Sequence, residues 1–231
     1  MAGNREVEEQ GFALRRSALL PTQLARLLNV VLPAKPGTGD RPAPHALRNV
    51  LWDRRNLAAT LRGVGADDIA TEVLGAKAFA INAIYFDKTS AANWKVPSHQ
   101  DLMMPVQTEC HEPKFAGWTM KAGVLHVEPP AEVLAKLVAL RIHFDDCPAA
   151  NGSLAVLPGS HQRGKLRDSD LMALERDAFV NCEALRGDVL VMKPLLVHRS
   201  SGSLDPQHRR VLHVVYATEA PGAAIRWKRS A

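Results

Sequence analysis

The sequence predicts a mainly β fold, a sandwich or barrel of short strands with an N-terminal helical layer. Three observations lead there. Apolar residues recur at helical spacing only in the first third of the chain. Short strand-like runs separated by turn residues fill the rest. A chain of 231 residues can bury a substantial core as one domain, and all-β barrels often reach this length. Helices first and strands after is the pattern of a sheet structure covered by helices. One domain is therefore expected over residues 1–231, with the helical layer at 1–75 and the strand-built core at 76–220.

The first helix is expected over about Pro21 to Leu32, where Leu24, Leu27, Leu28 and Val31 form one apolar stripe. The breaker-rich stretch Pro33 to Pro44 (PAKPGTGDRPAP) ends it, and a second helical segment follows over about His45 to Leu61. From residue 78 the period changes. Ala78 to Phe86 (AFAINAIYF) reads as an apolar strand bounded by the polar turn Asp87 to Asn93. Val124 to Val127, Leu137 to Phe144, Ser153 to Leu157, Val180 to Glu183, Asp188 to Met192 and Val211 to Tyr216 continue the series. Turn signals stand between them at Pro129-Pro130, Asn151-Gly152, Pro158-Gly159, Arg186-Gly187 and Ser201-Gly202. One short helix fits about Ser169 to Arg176.

Composition narrows the function classes. Apolar residues are 46% and charged residues 23% of the chain, proportions that argue against disorder. No segment has the length of a membrane-spanning helix, and Met1 to Gln10, with Glu6, Glu8 and Glu9, lacks the apolar region of a signal peptide. Cys110, Cys147 and Cys182 are odd in number and widely separated, which suits neither a disulfide framework nor a thiolate zinc site. A cytoplasmic protein with reduced thiols and no membrane attachment is expected. The net charge of +5 raises nucleic acid as a partner. Yet Lys and Arg are scattered, and aromatics are only 5%, too few for a base-stacking platform. A solvated surface with a small-molecule site for an anion is the preferred reading.

The first chemical signal is His99-Gln100-Asp101, in VPSHQDLMM. Residues two apart on a strand share a face, so this imidazole and carboxylate can converge on one ion. Chance supplies H-x-D easily, and a surface His beside a capping Asp is the bland explanation. His198 ends the apolar run GDVLVMKPLLVH, and a strand finishing in a His is placed to supply a third ligand. Two His and one carboxylate with open positions is the triad of non-haem Fe(II) oxygenases. Arg209 follows eleven residues after His198, across SSGSLDPQH, and opens the run RRVLHVVYA. A hairpin of that length returns Arg209 beside His198, where a guanidinium can hold a carboxylate bidentately and Ser200 can add its hydroxyl. An iron oxygenase that uses 2-oxoglutarate needs this arrangement, because the keto acid chelates metal at one end and requires a cation at the other. The alternative is that Arg209 and Arg210 are exposed strand charges. Arg210, by alternation, faces away.

Four stretches, FDKTSAANWKVPSHQDL, LRIHFDDCPAANGSLAVLPGSHQRGKL, GDVLVMKPLLVHRSSGS and RRVLHVVYA, resemble in order and spacing the phytanoyl-CoA dioxygenase family of Fe(II)/2-oxoglutarate oxygenases, particularly its bacterial members. The resemblance covers about residues 79 to 218, and GFALRRSALLPTQLARLL is similar to the family's first strand and helix. It implies a double-stranded β-helix (jelly-roll) barrel with the metal at one mouth. It implies Fe(II) on His99, Asp101 and His198, O2 and 2-oxoglutarate as cosubstrates, and the far carboxylate of 2-oxoglutarate on Arg209 helped by Ser200. Gln100 and Arg141 fall where relatives approach the cosubstrate, although some relatives have an aromatic residue in place of Arg141. Asp101 differs from the small residue that related halogenases carry there. The implied activity is hydroxylation of a small-molecule substrate, with 2-oxoglutarate decarboxylated to succinate and CO2.

Lys88 and Trp94 flank the first ligand in a polar loop and are candidates for substrate contact, with packing an equal role for Trp94. His161 reads as structural, and Asp145-Asp146, as strand neighbours facing opposite ways, make a poor acid/base pair. His143 alternates with Arg141 and Asp145 and is a candidate for the barrel mouth, whereas His213 reads as a core or wall residue. Two other functions share the triad: a cupin-like isomerase or hydrolase, and a barrel that binds metal or ligand without catalysis. The first has no use for Arg209, and the second has no need of a complete ligand set. Substrate choice is expected to lie in Pro33 to Pro44, Asp87 to Pro97 and Met103 to Lys121.

Overall fold

In a computed structural model, which describes residues 2–32, 45–89, 92–203 and 208–228, the strand-rich part of the chain forms antiparallel sheets and the helices of residues 2–74 gather on one face of the largest. The chain opens with helix α1 (Ala2–Gln10), strand β1 (Phe12–Arg15) and helix α2 (Pro21–Val31). Pro21 suits the first turn of α2, where its missing N–H would have no helical partner anyway. The stripe of α2 buries Leu24, Leu27 and Val31, each contributing about 2 kcal/mol of hydrophobic stabilisation. Pro33 to Pro44 lies outside the described residues.

The single helix expected over His45 to Leu61 is instead a short strand, β2 (Ala46–Leu47), followed by helices α3 (Val50–Asp53), α4 (Leu57–Gly63) and α5 (Ala66–Leu74). Backbone breaks the run twice, at Asn49 in the left-handed region (φ 62°) before α3 and at Arg54 in extended conformation after it. Asn adopts left-handed backbone more readily than other side-chain-bearing residues, and apolar periodicity alone overran both breaks.

The strands that follow are β3 (Phe79–Lys88), β4 (Val96–His99), β5 (Met104–Pro105), β6 (Ala116–Lys121) and β7 (Val124–Glu128), then helix α6 (Ala131–Leu134). Next come β8 (Val138–His143), β9 (Leu154–Val156), helix α7 (Asp168–Ala173), β10 (Val180–Cys182), β11 (Val189–Met192), β12 (His198–Ser200) and β13 (Arg209–Ala217). The sheets run β1-β11-β8-β13-β3-β2, β10-β9-β12-β4 and β5-β7-β6. The first two are the walls of the expected jelly roll, and every named strand pair is antiparallel.

Alternation along the six-stranded sheet decides which residues can reach the interior. On β13, Leu212, Val214 and Tyr216 pack under the helices, while Val211, His213 and Val215 face the space between the walls. On β8, Leu140 and Ile142 face the helices and Arg141 faces inward. On β3, Tyr85 faces the helices and Asn82, Ile84, Phe86 and Lys88 face inward. A register shift between Val215 and Tyr216 skips Ile81, and this bulge carries Ile81 into the inner apolar cluster.

Two connections differ from expectation. The run GDVLVMKPLLVH is not one strand: β11 stops at Met192, and His198 begins β12 in the other wall. Pro194 lacks the N–H that a ladder needs, so the chain leaves one sheet there and enters the next. Likewise β12 and β13 are not a hairpin. β12 pairs with β9 and β4, and β13 pairs with β8 and β3.

Candidate metal centre

Strand pairing brings the two imidazoles together. His198 on β12 lies directly opposite His99 at the end of β4, with ring centroids 4.1 Å apart. Asp101 is not on a strand, contrary to the reading of H-x-D as one extended face. It sits in the loop after β4, where its backbone N–H donates to Pro194 O at 2.9 Å. The proline that interrupts the apolar run before His198 therefore holds the carboxylate ligand candidate as well. Asp101 Oδ1 is 4.0 Å from His99 Nε2, and Oδ2 is 3.8 Å from His198 Nε2. The ligand atoms of all three lie within 4.8 Å of one another.

Each imidazole is oriented by a carbonyl two residues earlier. His99 Nδ1 is 2.9 Å from Pro97 O, and His198 Nδ1 is 2.9 Å from Leu196 O. A carbonyl only accepts, so Nδ1 carries the proton and Nε2 presents its lone pair toward Asp101. Burial pushes His198 down to about 3, despite the opposing pull of Asp101, so its ring is neutral near pH 7. Burial would raise Asp101, but His198, His213, His99 and Arg141 outweigh it and hold the carboxyl at about 2. One ring nitrogen from each histidine and one ionised carboxylate, aimed at one point, are a donor set that fits Fe(II).

A wall of cations adjoins this cluster. Arg209 opens β13 and is directly opposite Lys88, the last residue of β3. Lys88 is thus in a strand and not in a loop, and it is only 2% exposed. Its Nζ donates to Ser200 Oγ at 3.0 Å and to Ser201 O at 3.1 Å, and it lies 5.2 Å over the ring of Trp94. Burial, then Arg209 and Arg141, push the Lys88 ammonium down to about 7. Arg209 NH1 donates to Asn151 O at 3.4 Å. Burial and then Arg209 bring Arg141 down to about 10, and its Nε has no hydrogen-bond partner. Buried Lys88 and Arg209 and half-buried Arg141 beside one carboxylate leave an excess of positive charge that a dianion would relieve.

His213, read from sequence as a wall residue, lies closer to the cluster than expected. Its Nε2 is 3.5 Å from Asp101 Oδ2, and Arg141 NH1 is 3.5 Å from its Nδ1. Its shared parity with Arg209 was the signal that could have placed it. Gln100 lines the same cavity, but its amide is engaged by backbone. Nε2 donates to Gly164 O and Leu195 O, and Oε1 accepts from Leu166 N. It braces three loops around the two neighbouring ligand candidates. His143 is buried outside the cavity lining, and burial, then Arg141, lower it to about 4. Asp145 pairs with Arg210 at 2.6 Å, Asp146 accepts from Arg186 N, and His161 faces Glu8 O.

The cavity over the cluster has a volume of about 390 Å³, within the range of small-molecule sites. Its apolar lining includes Ile84, Phe86, Trp94, Leu102, Met103 and Met104.

A family model for phytanoyl-CoA dioxygenase matches residues 7–211. A search of curated protein sequences finds no match. Similar solved structures include AviO1 from Streptomyces viridochromogenes Tue57, 21% identical over 96% of each chain, with a TM-score of 0.65. SnoK, a non-heme alpha ketoglutarate dependent carbocyclase from nogalamycin biosynthesis, is 17% identical over 96% of this chain and 87% of its own, with a TM-score of 0.66. EctD from S. alaskensis, solved with 2-oxoglutarate and 5-hydroxyectoine, is 15% identical over 93% and 74%, with a TM-score of 0.66. At such identities the likeness is one of fold, the double-stranded β-helix.

Proposed function

We propose, for a chain that belongs to the phytanoyl-CoA dioxygenase family, that His99, Asp101 and His198 hold Fe(II) and that Arg209 receives the far carboxylate of 2-oxoglutarate. Members of that family are Fe(II)/2-oxoglutarate-dependent oxygenases, and this chain is one of them. Its cofactors are accordingly Fe(II), 2-oxoglutarate and O2. The observation that carries the site assignment is the convergence of the three ligand atoms, with both Nε2 atoms freed by carbonyls behind the rings.

Bound together, the metal and 2-oxoglutarate supply an oxidation in which O2 gives one oxygen atom to succinate, with release of CO2, and one to a substrate C–H bond. The chain's own residues prepare for it. Pro97 and Leu196 hold the imidazole protons at Nδ1, and Pro194 holds Asp101 in place. Arg209 supplies the fork for a carboxylate, with Lys88 and Ser200 at its side and Arg141 adding charge from the next strand. Ile84, Phe86, Trp94 and Leu102 exclude water from the reacting end and orient the substrate. The substrate is read as a small molecule, contacted by Trp94. The chain is further read as one domain, since one apolar cluster joins residues of α2, α4 and α5 to β3, β8, β11 and β13. A cytoplasmic location is supported by three free cysteines, and no helix among the described residues is long and apolar enough to cross a membrane.

The test is anaerobic addition of Fe(II) with and without 2-oxoglutarate. A visible charge-transfer band is expected in the wild type and not in His99→Ala. Arg209→Ala is expected to weaken 2-oxoglutarate binding by about 30-fold or more, because it empties one side of a buried charge pair. Unchanged affinity in that variant sinks the clamp assignment.

A further inference from the structure

Five cations line the cavity, namely Arg48, Lys88, Lys121, Arg141 and Arg209, against one carboxylate, Asp101. The iron and 2-oxoglutarate reading accounts for three of these cations, Lys88 on β3, Arg141 on β8 and Arg209 on β13. It leaves Arg48 and Lys121 without a role. Neither has a carboxylate partner among the described residues.

The fold holds these two at one corner. Arg48 follows β2, which lies at the sheet edge with Ala46 opposite Phe86, and Phe86 is part of the cavity wall. Lys121 ends β6, in the turn to β7. Between them stands Asn49, 4% exposed and held at φ 62°, whose Nδ2 donates to Ala122 O at 2.8 Å and to Lys121 O at 3.3 Å. One buried amide in left-handed backbone thus fastens the β6–β7 turn to the residue that follows Arg48. Burial pushes the Lys121 ammonium below its ordinary value, and the nearby Arg48 charge adds to the effect. Two cations that line one corner of a cavity, with no carboxylate among the described residues paired to either, repel each other. A bound anion would relieve that repulsion.

Arg48 is exposed and Lys121 half-buried, whereas Lys88 and Arg209 are buried, so the pair marks the outer end of the cavity. The surface between the two ends includes Ile84, Phe86, Met103 and Met104. We infer that the substrate is an amphipathic small molecule with an anionic head, a carboxylate or a phosphate, which Arg48 and Lys121 hold at the rim while its apolar body reaches toward the His99–Asp101–His198 cluster. This rests on the proposed iron and 2-oxoglutarate reading for what happens at the inner end, but the rim site is independently measurable.

The probes are octanoate, octyl phosphate and octanol, titrated calorimetrically into the full chain loaded anaerobically with Fe(II) and saturating 2-oxoglutarate, so that Arg209 is already occupied. At least one anion is expected to bind about tenfold more tightly than octanol, the scale of one well-placed charge interaction. The tighter of the two identifies the head group. In the double variant Arg48→Ala/Lys121→Ala the preference is expected to vanish, with the charge-transfer band of the same sample intact. No preference for either anion in the wild type, or a preference that survives in the double variant, overturns the proposal. Absence of the band from the wild type, with the preference present there and lost in the double variant, would instead overturn the iron reading alone.

Discussion

The imidazoles of this centre are set by carbonyls rather than by acids. His99 and His198 both present Nδ1 to the carbonyl two residues before them, and both are left with Nε2 free. The cations beside them are tuned in the same local way. The Lys88 ammonium is lowered to about 7 by burial, Arg209 and Arg141. Above that pH it is mostly neutral in the free protein, and a dianion beside it favours its charged form. Binding of 2-oxoglutarate at pH 8 is therefore expected to take up a fraction of a proton, with little uptake at pH 6. Calorimetry in buffers of different ionisation enthalpy reads this directly. Equal uptake in wild type and Lys88→Met at pH 8 refutes the assignment of that proton to Lys88.

At the scale of elements, the entry to β11 is held by one buried carboxylate. Asp188 is 1% exposed and accepts from Ser17 N at 2.8 Å, Leu185 N at 2.9 Å and Arg16 NH1 at 2.8 Å. Burial alone would raise its carboxyl, but these donors outweigh it and the net shift is downward. A depressed carboxyl contributes stability that is present above its ordinary range and lost as pH falls through the folded value. Asp188→Ala is expected to lose about 2–4 kcal/mol at pH 7 by leaving the Leu185 and Ser17 amides without an acceptor. Denaturant titration at pH 7 and pH 3 measures both parts, and the deficit should narrow at the lower pH. A deficit as large at pH 3 as at pH 7 contradicts the linkage. Gly187, one residue earlier, stands at φ 91°, and an added Cβ would lie 2.6 Å from Leu19 O. Gly187→Ala is expected to destabilise by about 2 kcal/mol through backbone strain, visible as a lower denaturant midpoint with unchanged slope.

For the molecule as a whole, apolar clusters occupy both faces of the six-stranded sheet, and the centre sits where its inner face meets the four-stranded wall. Ligands that bind there only in the folded state stabilise the whole fold. Saturation to a hundred times Kd adds about 2.7 kcal/mol, which raises Tm by about 5–10 °C in a domain of this size. Anaerobic Fe(II) and 2-oxoglutarate are each expected to add an increment. Arg209→Ala should lose the 2-oxoglutarate part and His99→Ala the metal part. A His99→Ala variant that keeps the metal increment speaks against that ligand.

The sequence by itself determined the class of fold and named the candidate residues of the centre. H-x-D, the terminal His of an apolar run and the Arg that opens the last strand are compact local signals, and turn residues punctuate strands wherever local sterics demand it. Even so, the local geometry read from them was partly wrong. Asp101 is in a loop, His198 starts a strand instead of ending one, and Arg209 arrives by a crossing between sheets. Only the tertiary structure decided the neighbours. Cross-strand register puts His198 against His99 and Arg209 against Lys88, and inward parity carries His213 to Asp101. Register between strands a hundred residues apart is set by packing both faces of the sheet at once, and local periodicity holds no record of it.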